Sequence, residues 1–512
     1  MWESFKQRPN ISSDETESGL KQLMVDGVCG QLMILLTGGA FLVALAIQLG
    51  ASNLVIGFLA AVGPLSQIMQ IPGIFIVERL KNRKIVTVVF AAIGRLFLIA
   101  AALCAWLLPE TLALKAFLLF FCVYFALSGI SGCGFNSWIR DFIPENRFGS
   151  FMGKRMALAT GFVAAATILA AFGMDAARER IDDPVLPYAA LFSVSALIGL
   201  FGVRALNKIP EPVPQPAEKV SLFAMLIKPL RDRNFRRLLA FTASWNFTIV
   251  MAGAFFAVYM LNRIGIGLST VILLSVLSQI TNVLFFRIWG NTADKFSNKS
   301  VLQVASPLFL LMILLYPLTT MPERYSLSVP ILVLIHLIGG IATAGFTLCV
   351  ANIALKLAPR KEATAYLATN AFFSGIAATI GPIVGGLVGH YFDQKELSIR
   401  LFWQSDLAQG LEPLEIPALI LRGLDFVFIA AILAGFYSLH RLSLVEEVGS
   451  VEEKQVREEV ISSMRQTFVT LSNVAGLRRM TYFPYDMLRK TAAKAKKTAR
   501  KLNRPYSSIS PR

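Results

Sequence analysis

The sequence predicts an all-α membrane protein of twelve transmembrane helices, arranged as two six-helix bundles that are related by an internal repeat. Three observations support this fold class. The chain is 55% hydrophobic and 16% charged, whereas soluble domains carry about 25% charged residues. Its apolar residues fall into twelve segments, each long enough for a helix of about 20 residues that crosses a bilayer. Short sequence patterns in the first half recur at matching places in the second half.

The apolar segments of each half are separated by short polar connections. In the first half the predicted helices span residues 22–47, 53–77, 84–108, 113–138, 152–173 and 187–206. In the second half they span residues 236–261, 268–289, 300–320, 328–356, 363–390 and 421–440. The stretch between the halves is polar, basic and rich in proline, which is typical of a linker. We therefore divide the chain into an N-terminal segment 1–21, a bundle 22–206, a linker 207–235, a bundle 236–440 and a basic tail 441–512.

Three pairs of positions mark the internal repeat. They are Gly39 with Gly253, Glu78 with Asp294, and Pro144 with Pro359. The members of these pairs lie 214, 216 and 215 positions apart. Because the three offsets are nearly equal, we infer that the two halves share one arrangement of helices.

Lys and Arg residues are distributed unequally between the two sides of the predicted membrane. The connections on the side of Glu78 hold 22 of them, and those on the opposite side hold seven. Because basic loops remain in the cytoplasm, we expect a multi-pass protein of the cytoplasmic membrane with both termini inside. The tail carries a run of bases from Arg489 to Arg504. This run is either a solvated helix or a contact with anionic lipid.

Other classes of function find little support in the sequence. The five cysteines lie in apolar segments without metal-site spacing, and the three histidines are far apart. There is no phosphate-binding G-x-x-x-x-G-K-[ST] pattern. The net charge of +17 resides in short loops and the tail, which fits membrane topology better than nucleic-acid binding. We therefore expect no enzyme, no cofactor, no metal and no nucleic-acid partner.

Two loops at matching places carry an acid followed by bases. The loop after helix 2 reads E-R-L-K-N-R-K at residues 78–84, and the loop after helix 8 reads G-N-T-A-D-K-F-S-N-K at residues 290–299. Both resemble the helix 2–3 loop of the major facilitator superfamily, G-x-x-x-D-R-x-G-R-R/K. In the first copy Glu78 replaces the family's Asp and Lys81 replaces its second Gly. The resemblance covers about residues 22–440 and implies the major-facilitator-type fold.

The loop after helix 4 is similar to another pattern of the superfamily, E-x-x-P-x-x-x-R-G. Here Asp141 replaces the Glu, and Arg147 comes one residue early. The resemblance implies that Asp141 pairs with Arg83 and that Glu78 faces the N-terminus of helix 11, where partial positive charge favours an anion. In the second half, Lys356 stands where the family often has an acid. The implied cytoplasmic gate comprises Glu78, Arg79, Arg83, Asp141, Arg147, Asp294 and Lys299, unless these charges only fix topology.

Helix 11 contains the sequence G-P-I-V-G-G at residues 381–386. In proton-coupled drug exporters of the superfamily a G-P-x-x-G-G pattern lies in helix 5, and helix 5 of this chain has none. We therefore expect this stretch to provide close helix packing and a bend that proline tolerates.

In the superfamily, helices 1, 4, 7 and 10 line a central cavity, to which helices 2 and 8 contribute. Polar side chains inside a bilayer are costly, so those on these helices are candidates for substrate contact. The alternative for each is a hydrogen bond between helices. The candidates are Gln31, Asn136, Trp245, Asn246, Gln279, Asn282 and His336.

Asp26 and Arg95 are formal charges well inside the first half. An Arg that faces lipid is implausible, so Arg95 should point inward, where Asp26 of helix 1 is its candidate partner. The pair is either structural or involved in coupling to protons. If Arg95 instead reaches the cavity, an anionic substrate is favoured.

The resemblance implies a secondary active transporter that moves a small solute by alternating access, in which two bundles rock about a central site. Proton coupling through Asp26 or His336 and uniport are both open. A lipid or lipid-linked flippase with the same fold is one alternative. A non-transporting membrane scaffold, with the tail as its docking element, is another. We expect the protein to be a monomer whose partners are its solute and membrane lipid.

Overall fold

The computed structural model describes residues 5–213, 222–320, 326–359, 363–403 and 414–447, with residues 455, 456, 458 and 460. Twelve helices within this part are long and apolar enough to cross a membrane, which confirms the predicted fold class. Helix 1 comprises Ser13–Leu36 and Gly39–Gln48, helix 2 Asn53–Ser66, Gln67–Met69 and Gln70–Leu80, helix 3 Arg83–Leu107, helix 4 Glu110–Phe142, helix 5 Glu145–Arg180 and helix 6 Leu186–Asn207. Helix 7 comprises Arg233–Val258 and a π-helical end at Tyr259–Ile264, helix 8 Leu268–Lys295, helix 9 Asn298–Leu318, helix 10 Ser328–Leu357, helix 11 Ala363–Phe392 and helix 12 Leu424–Ser443.

Several helices extend beyond their apolar segments. Helix 1 begins at Ser13, nine residues before the predicted start. Ser12 caps it: the Ser12 hydroxyl accepts a hydrogen bond from the amide of Glu15, and the Glu15 carboxylate accepts one from the amide of Ser12. Helix 5 similarly begins at Glu145 rather than near residue 152. Hydropathy records only the turns that lie in lipid, so it underestimates helices that project into water.

Helix 1 is interrupted at two consecutive glycines. Gly39 has a φ of +51°, a conformation that glycine adopts without steric cost. A side chain at Gly38 would begin 2.7 Å from the carbonyl oxygen of Ile34. The preceding turn is closed by the Thr37 hydroxyl, which donates to the carbonyl of Met33 at 2.7 Å. The sequence G-G-A at this point therefore turns the second part of helix 1 away from the axis of the first.

Each bundle is held together by close helix pairs. In the N-terminal bundle helix 3 packs along helices 4 and 6, and helix 1 packs on helices 5 and 6. In the C-terminal bundle helix 10 packs on helices 8 and 9, and helix 12 packs on helices 7 and 9. Glycine permits the tightest approaches: an added methyl group would lie 2.2 Å from the Ser66 carbonyl at Gly129, and 2.4 Å from the Ser278 carbonyl at Gly340. Small residues at such crossings are typical of membrane helices.

The two ends of the bundles differ in what covers them. Between helices 11 and 12, strand β3 (Glu396–Trp403) pairs antiparallel with strand β4 (Leu414–Arg422). The residues between the two strands, 404–413, lie outside the described part of the chain. We call this end of the molecule the hairpin face. The opposite end, where helix 2 ends at Leu80 and helix 6 ends at Asn207, is the terminal face.

The bundles contact each other near the hairpin face. Helix 2 crosses helix 11 so closely that a methyl group at Gly57 would lie 2.3 Å from the carbonyl oxygen of Pro382. One at Gly386 would lie 2.9 Å from the carbonyl oxygen of Asn53. Asn53 also donates a hydrogen bond to Asp393 at 3.1 Å. Close packing by the G-P-I-V-G-G stretch is therefore seen, and it joins the two bundles.

The segments predicted to flank the bundles take part in the fold. Strand β1 (Gln7–Arg8) pairs in parallel with strand β2 (Glu211–Pro212), so the N-terminal segment touches the start of the linker. The linker also contains a helix at Leu222–Arg231. The beginning of the tail packs against the C-terminal bundle, where Asn234 donates to the carbonyl of Glu446 at 2.8 Å. The basic run of the tail lies outside the described residues.

Candidate functional site

A cavity of about 470 Å³ lies between the two bundles, within the size range of small-molecule sites. The N-terminal bundle contributes helices 1 and 2 to its wall: Gly39, Ala40, Leu42, Val43, Ala46, Ile56, Leu59 and Ala60. The C-terminal bundle contributes helices 7 to 10. Their apolar lining residues are Gly253, Ala254, Phe256, Ala257, Met260, Val271, Phe309, Met312, Ile335 and Gly339, and their polar ones are Ser275, Ser278, Gln279, Tyr316, His336 and Thr343.

The structure places two of the seven predicted cavity residues, Gln279 and His336, on this wall. The His336 ring lies with Nδ1 2.8 Å from the carbonyl oxygen of Leu332. Because that oxygen can only accept, Nδ1 carries the proton of this bond, and Nε2 is left as the acceptor of the neutral ring. Ser275 and Ser278 were missed by sequence reasoning. Ser275 lies one helical turn before Gln279 and so on the same face of helix 8, which was a signal in the sequence, whereas Ser278 directly precedes Gln279.

The other five predicted residues lie elsewhere. Trp245 is fully buried behind the wall against Phe309 and Phe346, and its indole Nε1 has no hydrogen-bond partner among the described residues. Asn246 donates to the carbonyl of Thr242 at 2.8 Å, a bond within helix 7. The remaining three do not line this cavity: Gln31, Asn136 and Asn282.

The N-terminal bundle contains a group of three charges, one buried acid and two partly buried arginines. Asp26 is buried, and its carboxylate accepts a hydrogen bond from Arg155 of helix 5 at 3.2 Å. Arg155 also donates to the carbonyl of Leu23 at 3.2 Å. Arg95 lies within electrostatic reach of Asp26 and donates to the carbonyl of Ala91 at 3.0 Å. The hydrogen-bonded partner of Asp26 is thus Arg155, where the sequence suggested Arg95.

Glycines make room for this charged group. Gly27 lies under the Arg155 side chain, where a methyl group would come within 2.4 Å of Nε, and Gly199 lies similarly under Arg95, 2.9 Å from its Nε. The sequence placed Arg155 only three residues from the predicted start of helix 5 at residue 152, and did not indicate it as a partner of Asp26. Since helix 5 begins at Glu145, Arg155 lies three helical turns inside it and reaches helix 1.

At the terminal face the N-terminal bundle has an ionic network, which we call the N-latch, centred on Glu211. Its carboxylate accepts hydrogen bonds from the amide of Arg83 at 2.9 Å and from Gln7 Nε2 at 3.2 Å, and it lies 3.3 Å from Arg83 Nε. Arg83 Nη1 in turn lies 2.5 Å from Asp141. Glu211 is 0% exposed and Arg83 is 4% exposed. An acid at the N-terminus of helix 3 is favoured by the helix dipole. The Glu211 charge is therefore stabilised, and the free backbone amides at this helix end gain an acceptor.

The C-terminal bundle has a corresponding network, the C-latch, centred on Glu447. Its carboxylate accepts hydrogen bonds from the amide of Lys299 at 2.7 Å and from the amide and side chain of Asn298 at 3.3 and 3.0 Å. Lys356 of helix 10 lies 3.1 Å away. Lys356 occupies the place of Asp141 in the repeat, so the C-terminal bundle has a base there and Glu447 supplies the acid.

The two latches show the same geometry in both halves. Glu211 follows the end of helix 6 by four residues, and Glu447 follows the end of helix 12 by four residues. Each reaches the N-terminus of the third helix of its own bundle. Sequence reasoning missed both glutamates, although their equal spacing from helices 6 and 12 was a signal within the repeat.

The remaining predicted gate residues are more exposed. Arg147 pairs with Glu17 of helix 1. The Lys299 ammonium donates to the carbonyls of Ser443 and Val445 at 3.0 and 2.6 Å. Three others are exposed, and the described part of the chain shows no hydrogen bond or ion pair of their side chains: Glu78, Arg79 and Asp294.

Comparisons with known proteins agree with this architecture. A mutant of the nucleoside transporter NupG aligns with a TM-score of 0.62 at 14% identity, over 84% of this chain and all of that one. A D-xylose–proton symporter aligns with a TM-score of 0.57 at 14% identity, over 85% of this chain and 99% of that one. A bacterial homologue of the iron transporter ferroportin, in an inward-facing state, aligns with a TM-score of 0.57 at 11% identity, over 86% of this chain and all of that one.

At these identities the structural likeness shows the fold alone. A comparison with curated protein sequences finds no significant match. The family profile described as Major Facilitator Superfamily matches residues 27–382, more than half of the chain. The twelve helices, the repeated halves and this match lead to one conclusion: the chain belongs to the Major Facilitator Superfamily.

Proposed function

We propose that this protein is a secondary transporter that moves a small solute across the cytoplasmic membrane by alternating access. The observation that carries the proposal is the position of the central cavity. The cavity lies between the two bundles, and the bundles meet beside it near the hairpin face, where Gly57 of helix 2 touches Pro382 and Gly386 of helix 11.

A second contact supports closure at the hairpin face. Asp175, near the end of helix 5, accepts a hydrogen bond from the amide of Ser269 at the start of helix 8, at 3.0 Å. Helices 2 and 11 and helices 5 and 8 therefore form two seams between the bundles. If the basic terminal face is cytoplasmic, as the distribution of Lys and Arg favours, this conformation is inward-facing.

The two latches act within bundles rather than between them. Glu211, Arg83 and Asp141 all belong to the N-terminal half, and Glu447, Asn298 and Lys356 all belong to the C-terminal half. The Arg83–Asp141 pair is already formed while the bundles are closed at the hairpin face. We therefore propose that the latches keep each bundle rigid during rocking, and that the exposed Glu78 makes the contact with helix 11 only in the outward-facing state.

Coupling to protons requires a titratable group that the transport cycle can reach. His336 lies on the cavity wall, whereas Asp26 is hydrogen-bonded to Arg155 inside the N-terminal bundle. We therefore favour His336 over Asp26 as the group that senses protons together with the solute.

Access to the cavity from both sides tests the proposed function. In a background that lacks the five native cysteines, a cysteine replaces Ser275 on the cavity wall, and an impermeant maleimide is added to vesicles of either orientation. Alternating access predicts labelling from both faces at different rates. Labelling from one face only, under every condition and with the vesicles shown to be sealed, would contradict transport and favour a receptor or scaffold.

A further inference from the structure

The cavity wall is chemically divided between the two bundles. The residues of helices 1 and 2 that line it are aliphatic or glycine, so this side offers no hydrogen-bonding side chain. Each polar side chain of the lining belongs to helices 8, 9 and 10. A ligand that fills the cavity therefore contacts an apolar surface on one side and a hydrogen-bonding surface on the other.

The polar surface has unused hydrogen-bonding capacity. Ser275 donates to the carbonyl of Val271 within its own helix, at 2.9 Å. The structure shows no hydrogen bond of the side chains of Ser278, Gln279 or Thr343 within the part of the chain that it describes. Together with Nε2 of His336, these groups offer donors and acceptors toward the cavity. Gln279 and Thr343 are exposed and Ser278 is partly exposed, so these groups are accessible to a ligand or to water in the cavity.

The polar groups converge because helices 8 and 10 touch. Gly340 lets helix 10 approach helix 8, because a methyl group there would lie 2.4 Å from the carbonyl oxygen of Ser278. The lining positions of helix 8 (271, 275, 278 and 279) and those of helix 10 (335, 336, 339 and 343) each fall on one side of their helix. The contact at Gly340 therefore brings Gln279 and His336 to adjoining parts of the same wall.

The described lining contains no Asp, Glu, Lys or Arg. Asp26 and Arg155 of the N-terminal bundle are paired with each other and do not belong to the lining. An ion that enters a low-dielectric cavity loses its hydration, and without a partner of opposite charge that loss is not offset. The wall is therefore suited to an uncharged ligand.

We propose that the cavity binds an uncharged amphipathic molecule, with its hydrogen-bonding end against helices 8 and 10 and its apolar body against helices 1 and 2. This inference rests on the proposed transport function and names the class of its substrate. Arg95 is not part of the wall, so the condition under which the sequence favoured an anionic substrate is not met.

Four probes that share one indole ring separate charge from hydrogen bonding. They are 3-(2-hydroxyethyl)indole, 3-ethylindole, indole-3-acetate and tryptamine. Their affinities for the full-length protein in lipid nanodiscs are measured by calorimetry, with empty nanodiscs subtracted. The uncharged hydroxyethyl probe is expected to bind about tenfold or more tightly than either charged probe. This difference in affinity reflects part of the free-energy cost of burying an ion that has no partner.

Two variants test the orientation. Gln279→Leu removes a hydrogen-bonding group, so it should weaken binding of the hydroxyethyl probe about tenfold while changing 3-ethylindole by less than about twofold. Leu42→Met on the opposite wall alters the apolar surface, so it should change both probes by the same factor. Equal effects of Gln279→Leu on both probes would overturn the proposed orientation.

Three outcomes would overturn the uncharged class. One is binding of indole-3-acetate or tryptamine as tight as that of the hydroxyethyl probe. Another is tight binding of indole-3-acetate at about pH 5.5 that disappears in His336→Gln, because a protonated imidazole would then be the partner. The third is absence of binding by the uncharged probes up to millimolar concentration. If the Ser275 cysteine is nevertheless labelled from both faces, the substrate class is wrong and transport stands.

Discussion

Two adjacent glutamates in the chain lie in opposite environments. The Glu447 side chain is 1% exposed and caps helix 9, whereas the Glu446 side chain is 77% exposed and pairs with Arg237 at the surface. Removing a buried carboxylate leaves its hydrogen-bond donors unpaired, while an exposed ion pair contributes little. Substitutions of these two glutamates therefore compare a buried carboxylate with an exposed one at neighbouring positions.

We predict that Glu447→Ala lowers the stability of the C-terminal bundle by about 1–3 kcal/mol, because the amides of Asn298 and Lys299 lose their acceptor. Glu446→Ala is expected to cost about 0–1 kcal/mol. The measurement is the apparent melting temperature of each purified variant in the same detergent. A loss of stability in Glu446→Ala equal to that in Glu447→Ala would contradict the assigned role of the C-latch.

His336 is the one histidine among the described residues of the cavity wall. If it takes part in proton coupling, His336→Gln should flatten the pH dependence of solute flux between about pH 5 and 8, where imidazole changes its charge. Flux in proteoliposomes at a series of external pH values checks this. A variant with the same pH profile as the parent protein would leave His336 as a hydrogen-bonding residue of the wall.

At the scale of helices, the seam between helices 2 and 11 depends on the absence of side chains. A methyl group at Gly57 would overlap the Pro382 carbonyl, whereas one at Gly63 of the same helix would lie 3.5 Å from the Phe125 ring, at ordinary contact distance. Gly57→Ala and Gly63→Ala thus make the same chemical change in one helix with different steric results.

We predict that Gly57→Ala weakens closure at the hairpin face. Overpacking of a tight contact costs about 1–3 kcal/mol, and about 1.4 kcal/mol changes a two-state ratio tenfold. Labelling of the Ser275 cysteine from the hairpin face should therefore become faster by about tenfold, while Gly63→Ala should leave the rate close to that of the parent. Equal rates in all three proteins would show that this seam does not limit access.

The helices and their repeat could be predicted from the sequence because crossing lipid requires long apolar segments. The same signal failed where helices leave the bilayer, as at the starts of helices 1 and 5, and it placed Arg155 at the edge of helix 5 instead of almost three turns inside it. Hydrogen-bonding partners far apart in the chain, such as Glu211 with Arg83, depend on how helices 3 and 6 pack. Neither the hydropathy of the segments nor the spacing of the motifs predicts that packing.

The candidate cavity was predictable in part for a similar reason. A polar residue on a membrane helix is conspicuous in the sequence, but whether it faces the cavity or a neighbouring helix depends on rotation about the helix axis. Gln279 and His336 face the cavity, whereas Asn246 bonds to its own helix. Gly340 brings helices 8 and 10 together at the carbonyl of Ser278, a contact that the sequence does not reveal.

The molecule as a whole consists of two helical bundles joined at two seams near one face. The latches tie charges within each bundle, and the seams of helices 2 with 11 and 5 with 8 join the bundles. A rigid bundle that pivots must open one face when it closes the other. Alternating access therefore requires that distances across the two faces change in opposite directions.

Spin labels across both faces measure this coupling directly. One pair replaces exposed Leu80 and Leu355 at the terminal face, and the other replaces exposed Leu108 and Leu327 at the hairpin face. Pulsed electron resonance in nanodiscs gives the distance distribution of each pair, in the parent background and with Gly57→Ala. We predict that Gly57→Ala shifts the hairpin-face distribution to longer distances and the terminal-face distribution to shorter ones. Distributions that stay unchanged at both faces, or that lengthen at both, would contradict alternating access by these two bundles.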